Sequence, residues 1–169
     1  MGLPRKLKNF NLFNDGISYI GLVPELTLPK LSRKMEEYRA AGMTGPVMVD
    51  FGNEAITLEW TAGGLVEEAL NQYGATKHNA VQLRFAGAFQ NDDTGDVSAV
   101  EVTVRGRHKE IDMGSVKHAS DTAHKFTTVC SYYKLTIDSK VVIELDLMGA
   151  IENIGGTDRN AAIRTAIGM

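Results

Sequence analysis

The stretch "VSAVEVTVRGRHKEID", residues 97–112, decides the fold. Val100, Val102 and Val104 alternate with small or polar residues, which is the pattern of a β-strand with one face on a core. After Val104 both faces turn polar. As one strand, the stretch would reach about 50 Å at about 3.3 Å per residue. A domain of this size is roughly 40 Å across, so the strand would overrun its own domain unless it breaks at Gly106.

A second stretch, "CSYYKLTIDSKVVIELDLMG" at 130–149, predicts a hairpin with strands at 123–137 and 141–148. Tyr132 and Tyr133 are adjacent in the first of these strands, so they point to opposite faces of the sheet. One tyrosine can enter the core, and the other must face a different surface. Apolar residues occur at both parities, which leaves the assignment of the two tyrosines open.

Working outward, further strands are predicted at 17–32, 55–62 and 81–90, and a turn at 91–96. A helix is predicted over 65–73, ended by Gly74, and a short C-terminal helix within 155–169, capped by Thr157 or Asp158. Ile56, Leu58 and Trp60 form one apolar row and are predicted core. Residues 1–169 therefore predict one mainly β domain of about six strands. Its class is a β-sandwich or rolled antiparallel barrel with one flanking helix and a short C-terminal helix.

The segment "RKMEEYRAAGMTGPVMVDFGNE", residues 33–54, predicts an extended loop. It is longer than most connections between strands, and such loops are commonly functional. Its content of methionine, valine and aromatic residues is too apolar for a solvated linker, so the segment requires a partner surface.

Composition narrows the classes of function. Apolar residues make up 43% of the 169 residues, the net charge is −3, and there is one cysteine, so an internal disulfide is impossible. The basic residues are scattered, which argues against tight binding of nucleic acid. We expect no signal peptide and no membrane anchoring, because no apolar run has the required length.

No catalytic, metal-binding or cofactor-binding constellation is predicted. Asp112, His118, Asp121 and His124 are possible zinc ligands by type, but they lack a zinc-site spacing and fit a solvated connection better. Ser115 beside His118 and Asp121 has no more than sequence proximity to suggest a triad. Cys130 is predicted to be a small buried hydrophobe.

Five long stretches of unusual composition span the chain nearly from end to end. They are "LPRKLKNFNLFNDG" (3–16), "LTLPKLSRKMEEYRAAGM" (26–43), "LRFAGAFQNDDTGDVSAVEVTVRGRHKEIDMG" (83–114), "YYKLTID" (132–138) and "GGTDRNAAIRTAIG" (155–168). Together they resemble the major tail tube protein family of contractile-tailed phages, and similar proteins form the inner tube of R-type bacteriocins.

The resemblance implies a structural protein that is not an enzyme. Its subunits would form hexameric rings that stack helically into a hollow inner tail tube, and strands of neighbouring subunits would join into a continuous β-barrel. The tube would be a conduit for DNA delivery through the host envelope. The implied partners are other copies, the tail sheath protein, the tape-measure protein, and baseplate and tail-terminator proteins, with DNA in transit bound without specificity. The implied location is the tail of the virion, after synthesis in the bacterial host cytoplasm.

The resemblance also implies that the loop at 33–54 reaches from one ring to the next. The expected inter-ring contacts are Tyr38, Met43, Val47 and Met48, with the bend shaped by Gly42, Gly45 and Pro46. Alternatives are the tube of a phage-derived bacteriocin, a tube-like baseplate or secretion ring protein, and, more remotely, a small ligand-binding β-barrel or enzyme. Rings that never stack would favour a ring protein, and a deep polar pocket would favour the last class.

Overall fold

The computed structural model describes residues 2–169, which form twelve strands and two short helices. In chain order they are β1 (Lys6–Asn14), β2 (Ile17–Ser18), β3 (Glu25–Thr27), β4 (Arg33–Tyr38), β5 (Val47–Asn53), β6 (Ile56–Ala62), α1 (Glu67–Leu70), β7 (Val81–Gln90), β8 (Val97–Asp112), β9 (His124–Ile137), β10 (Lys140–Asp146), β11 (Ile151–Ile154), β12 (Thr157–Asp158) and α2 (Ala161–Ala166). The mainly β fold class is confirmed.

The long pair β8–β9 organises the main sheet, which is antiparallel throughout. Strand β7 pairs with the first part of β8, and β1 pairs with β7. On the other side, β6 pairs with the first half of β9 and β10 with its second half. The sheet thus divides into two parts that share the β8–β9 hairpin.

A β-bulge in β9 separates these two parts. Arg105 lies opposite Tyr132 and Gly106 opposite Cys130, so Ser131 has no partner in the register. The extra residue reverses which positions face the core, since side chains alternate along a strand. Before the bulge even-numbered residues such as Cys130 are buried, whereas after it Tyr133 is buried and Tyr132 lies on the opposite face. This explains why apolar residues occur at both parities in the sequence.

The core lies between the two parts of the sheet. Its largest side chains, each at most 3% exposed, are Leu12, Tyr19, Ile56, Leu58, Trp60, Leu83, Phe85, Phe126 and Leu145. The ring of Trp60 stacks on Phe126 with centroids 4.2 Å apart. The alternation in β6 therefore follows the pattern in the sequence, with Ile56, Leu58 and Trp60 inward.

The strand at 97–112 is continuous, and Gly106 does not break it. It also does not overrun the domain, because β9 is paired with it as far as Asp112. Both bulges in this ladder, at Ser131 and at Lys109, let the pair bend with the rest of the sheet. The estimate of an overhanging strand was wrong because the end of β8, as far as Asp112, is paired with β9 within the same domain.

The predicted extended loop at 33–54 is instead a hairpin. Strands β4 and β5 form a separate two-stranded sheet, in which Tyr38 pairs with Val47 and Glu36 with Val49. A run of charged and polar residues in β4 hid its strand character, since neither of its faces is buried.

Three other predictions need correction. Residues 17–32 are mostly irregular, with only β2 and β3 as short strands. Helix α1 has four residues, and of the predicted apolar face Leu65 and Tyr73 are exposed. Asp158 and Thr157 form β12 and do not cap α2, whose first flanking residue is Asn160. No helix within the described chain has the length and apolarity needed to cross a membrane.

Candidate assembly interface

The hairpin β4–β5 concentrates exposed apolar side chains on a short element. Six of its side chains are exposed by 39% or more: Met35, Tyr38, Val47, Met48, Val49 and Phe51. Such a concentration on a separate two-stranded sheet makes the hairpin a candidate protein-binding surface, because exposed apolar patches are costly in water.

The hairpin presents apolar side chains on two faces. Tyr38 and Val47 pair directly and share one face, and alternation along β5 adds Val49 and Phe51 to it. Met48 pairs with Glu37 on the opposite face. The residues predicted from sequence as one contact set therefore point in two directions.

Met43 lies in the tip and is half-buried. Its Sδ accepts a hydrogen bond from the Ala40 N–H, and its own N–H donates to the Ala40 carbonyl. Gly42 has φ +87°, a left-handed conformation that favours glycine, so the tip needs it for the turn. Gly45 and Pro46 follow and lead into β5.

An ionic clamp fixes the base of the hairpin to the main sheet. The Arg33 guanidinium bridges Asp50, at 2.9 Å from Nε to Oδ2, and Glu152 of β11. Asn53 also donates to Glu152, with 2.8 Å between Nδ2 and Oε1. The Gly52 N–H and Arg33 together lower the pKa of the Asp50 carboxyl, so this carboxylate stays charged. The sequence analysis missed this clamp, for which the only signal was a glutamate among the apolar residues of "AIENI".

A cleft of about 550 Å³ lies between the hairpin base and α2. We call it the base cleft. Its apolar lining comprises Phe51, Leu147, Ala150, Ile151 and Ile163, and its charged lining comprises Arg33, Asp50, Asp146 and Glu152.

The face of the sheet opposite the core is polar and internally paired. Arg84 contacts Glu101 at 3.0 Å, and the Tyr132 hydroxyl donates to Glu144 at 2.5 Å. Arg105 lies over the Tyr132 ring at 3.9 Å. Burial, and then the hydrogen bond with Glu144, raise the pKa of Tyr132 to about 12, so its hydroxyl stays protonated.

The residues considered for chemistry are not brought together. No group of three or more histidine, cysteine, aspartate or glutamate side chains suited to a metal ion occurs within residues 2–169. His124 is buried in β9, whereas His118 and Asp121 lie in the exposed connection before it. Burial raises the pKa of the Cys130 thiol to about 12, which leaves it protonated and unreactive.

A β domain with an exposed apolar hairpin that is ion-paired at its base is a candidate subunit of a larger assembly. The chain belongs to the family described as phage tail tube protein FII, whose model matches residues 4–168.

Two relatives support this membership. The chain is 47% identical to the tail tube protein of Escherichia phage P2 over 172 residues, which covers 100% of both chains. It is 41% identical to the major tail tube protein of Serratia phage KSP20 over 153 residues, covering 89% of this chain and 88% of that one.

Among solved structures, the fold is similar to the PVC sheath/tube terminator of an extracellular contractile injection system in the extended state. The TM-score is 0.60, over 79% of this chain and 97% of that one, at 10% identity. At this identity the similarity concerns the fold alone.

Proposed function

We propose that this chain is the structural subunit of the hollow inner tube of a contractile phage tail, with no catalytic role. The observation that carries the proposal is the family match over residues 4–168, together with 47% identity to the P2 tail tube protein along the whole chain. Synthesis in the bacterial host cytoplasm and location in the virion tail follow from that role.

The proposed assembly is a helical stack of hexameric rings in which neighbouring subunits complete one β-barrel. The paired polar face that contains Arg84, Glu101, Tyr132 and Glu144 is suited to the lumen, because its charges are partly neutralised by one another. Because Arg84 is held by Glu101, its guanidinium is not free for a phosphate, and we expect DNA to move through without specific binding. The core face, with Tyr133, would stay inside each subunit.

Stacking is assigned to the hairpin β4–β5. Tyr38, Val47 and Met48 are each more than half exposed, and contact with the next ring would remove them from water. Met43 would support the tip that makes this contact. The outer surface of the tube would meet the sheath protein, the lumen would hold the tape-measure protein during assembly, and the two ends would meet baseplate and terminator proteins.

Assembly of the purified full chain tests the proposal. We expect rings and tubes that appear as protein concentration rises, without added nucleotide or metal, as seen by negative-stain electron microscopy. Addition of a chelator should leave them unchanged. A monomer that persists at high concentration, or tubes abolished by chelator, would contradict the proposal, and rings that never stack would favour a ring protein of the baseplate or of a secretion system.

A further inference from the structure

The base cleft combines an apolar floor with a helix that its own domain leaves uncovered. None of the residues of α2 is buried, and Ile163 on its cleft side is 56% exposed. Phe51 on the opposite wall is 60% exposed. A cleft with apolar walls this exposed is suited to receive an apolar segment of a partner.

The charge of the cleft selects among partners. Three carboxylates, those of Asp50, Asp146 and Glu152, face one guanidinium, that of Arg33, so two negative charges remain uncompensated. A segment that is apolar and basic fits this lining, whereas an acidic segment would be repelled.

The chain itself contains such a segment, residues 38–48, which we call the outer hairpin. Arg39 is its only charged residue, and Tyr38, Val47 and Met48 are its exposed apolar side chains. A hairpin cannot reach the cleft at its own base, since Tyr38 lies five residues beyond Arg33, or about 16 Å along an extended strand. Only the outer hairpin of another copy could therefore enter the cleft.

We propose that the base cleft is the docking site for the outer hairpin of a neighbouring copy, with Tyr38 and Val47 on the apolar floor beside Ile163 and Arg39 on the acidic rim. This inference rests on the proposed function. Each copy gives a hairpin and receives one, so the contact is head-to-tail and adds copies without limit along one direction. The ion pair between Arg33 and Glu152 then has a function in assembly, because it fixes both the orientation of the hairpin and the width of the cleft.

Disulfide trapping between two variants tests the contact. Val47→Cys protein is mixed with Ile163→Cys protein under oxidising conditions, and the products are separated on a non-reducing gel. A disulfide forms only where the two Cα atoms approach within about 7 Å. We expect a covalent dimer in the mixture and none with either variant alone. The native Cys130 is buried and adds no background.

The matched control pairs Val47→Cys with Leu65→Cys, since Leu65 is 74% exposed and lies outside the cleft lining. Equal trapping with the control would overturn the proposal. The proposal would also be overturned if the mixture of Val47→Cys and Ile163→Cys gave no covalent dimer in samples that contain normal tubes. That result would leave the proposed function intact. If the wild-type chain forms neither rings nor tubes, both are overturned.

A charge placed in the cleft gives an independent measurement. Ile163→Asp adds a carboxylate to the acidic lining and should abolish stacking into tubes while circular dichroism stays that of the wild type. Ile167→Asp is the control, because Ile167 directly follows α2, is 64% exposed and does not line the cleft. Loss of tubes in both variants, or in neither, would contradict the assignment of the cleft.

Discussion

At the scale of single residues, Trp60 shows that a short alternating pattern can predict a core side chain. It follows Ile56 and Leu58 at a spacing of two, and the fold buries it to 1% exposure against Phe126. Its indole N–H has no hydrogen-bond partner. The side chain thus contributes by packing alone, and its polar atom is a local cost.

Two replacements of Trp60 separate the stabilisation by packing from the cost of the unpaired N–H. Trp60→Ala should lower the free energy of unfolding by about 3–5 kcal/mol through the cavity it leaves. Trp60→Phe should cost much less, because it keeps an aromatic ring on Phe126 and removes an unpaired N–H. Urea unfolding of unassembled protein measures both. An alanine variant that unfolds like the wild type would show that Trp60 is not part of the stabilising core.

His108 is a buried titratable group that the sequence pattern did not reveal. It lies in β8 where both faces look polar, yet it is 6% exposed. Its Nδ1 lies 2.9 Å from the Thr128 hydroxyl and its Nε2 lies 3.1 Å from Gln72 Oε1. Gln72 Oε1 is an acceptor, so Nε2 carries the proton and Nδ1 accepts from Thr128.

Stability should therefore fall in mild acid. Burial lowers the pKa of His108 below its ordinary 6.5, a shift that the nearby Asp15 opposes. The unfolded chain binds the proton first as pH falls, so the contribution is complete above pH 6.5 and is lost below it, down to the lowered pKa of the folded state. Urea unfolding between pH 5 and 8 should show this slope in the wild type and in His118→Gln, and a flatter one in His108→Gln. Parallel slopes for wild type and His108→Gln would contradict it.

At the scale of elements, the strands that alternate cleanly were predictable from the sequence and the irregular ones were not. β6, β7 and the β9–β10 hairpin lie where their patterns place them. The bulge at Ser131 could not be found in the sequence. A bulge shifts the buried positions from even-numbered to odd-numbered residues, and in sequence this gives the same pattern as a strand that is apolar on both faces. Helix α1 is shorter than its apolar spacing predicts: after Asn71 the backbone bonds run to the third residue back, from the Gln72 N–H to Ala69 and from the Tyr73 N–H to Leu70.

Gly106 allows the bulge to form. A Cβ at this position would lie 2.0 Å from the Val129 carbonyl oxygen, which is a backbone atom and cannot rotate away. Gly106→Ala should lower the free energy of unfolding by about 1–3 kcal/mol, the usual cost of forcing a group into packed structure. Gly64→Ala is the control, since a Cβ there has no atom within 4 Å. Equal urea midpoints for the two variants would show that the bulge tolerates a side chain.

At the scale of the whole molecule, two elements are left uncovered by the rest of the domain. The core is closed and complete, whereas the hairpin and α2 remain in solvent. The sequence predicted that the segment 33–54 needs a partner, because its apolar content is visible without a structure. It could not predict the clamp at the base, which joins Arg33 to a glutamate that is 119 positions later in the chain.

Removal of the outer part of the hairpin tests whether this segment is needed for assembly and not for folding. Residues 40–48 are replaced by a short Gly/Ser linker, which leaves the clamp of Arg33, Asp50 and Glu152 in place. The core should be unaffected, since no residue between 40 and 48 belongs to it. We expect a wild-type circular dichroism spectrum and monomers or single rings in negative stain, with no tubes. Tubes of normal length would refute the role of the hairpin in stacking, and loss of the spectrum would show that the hairpin is needed for the fold.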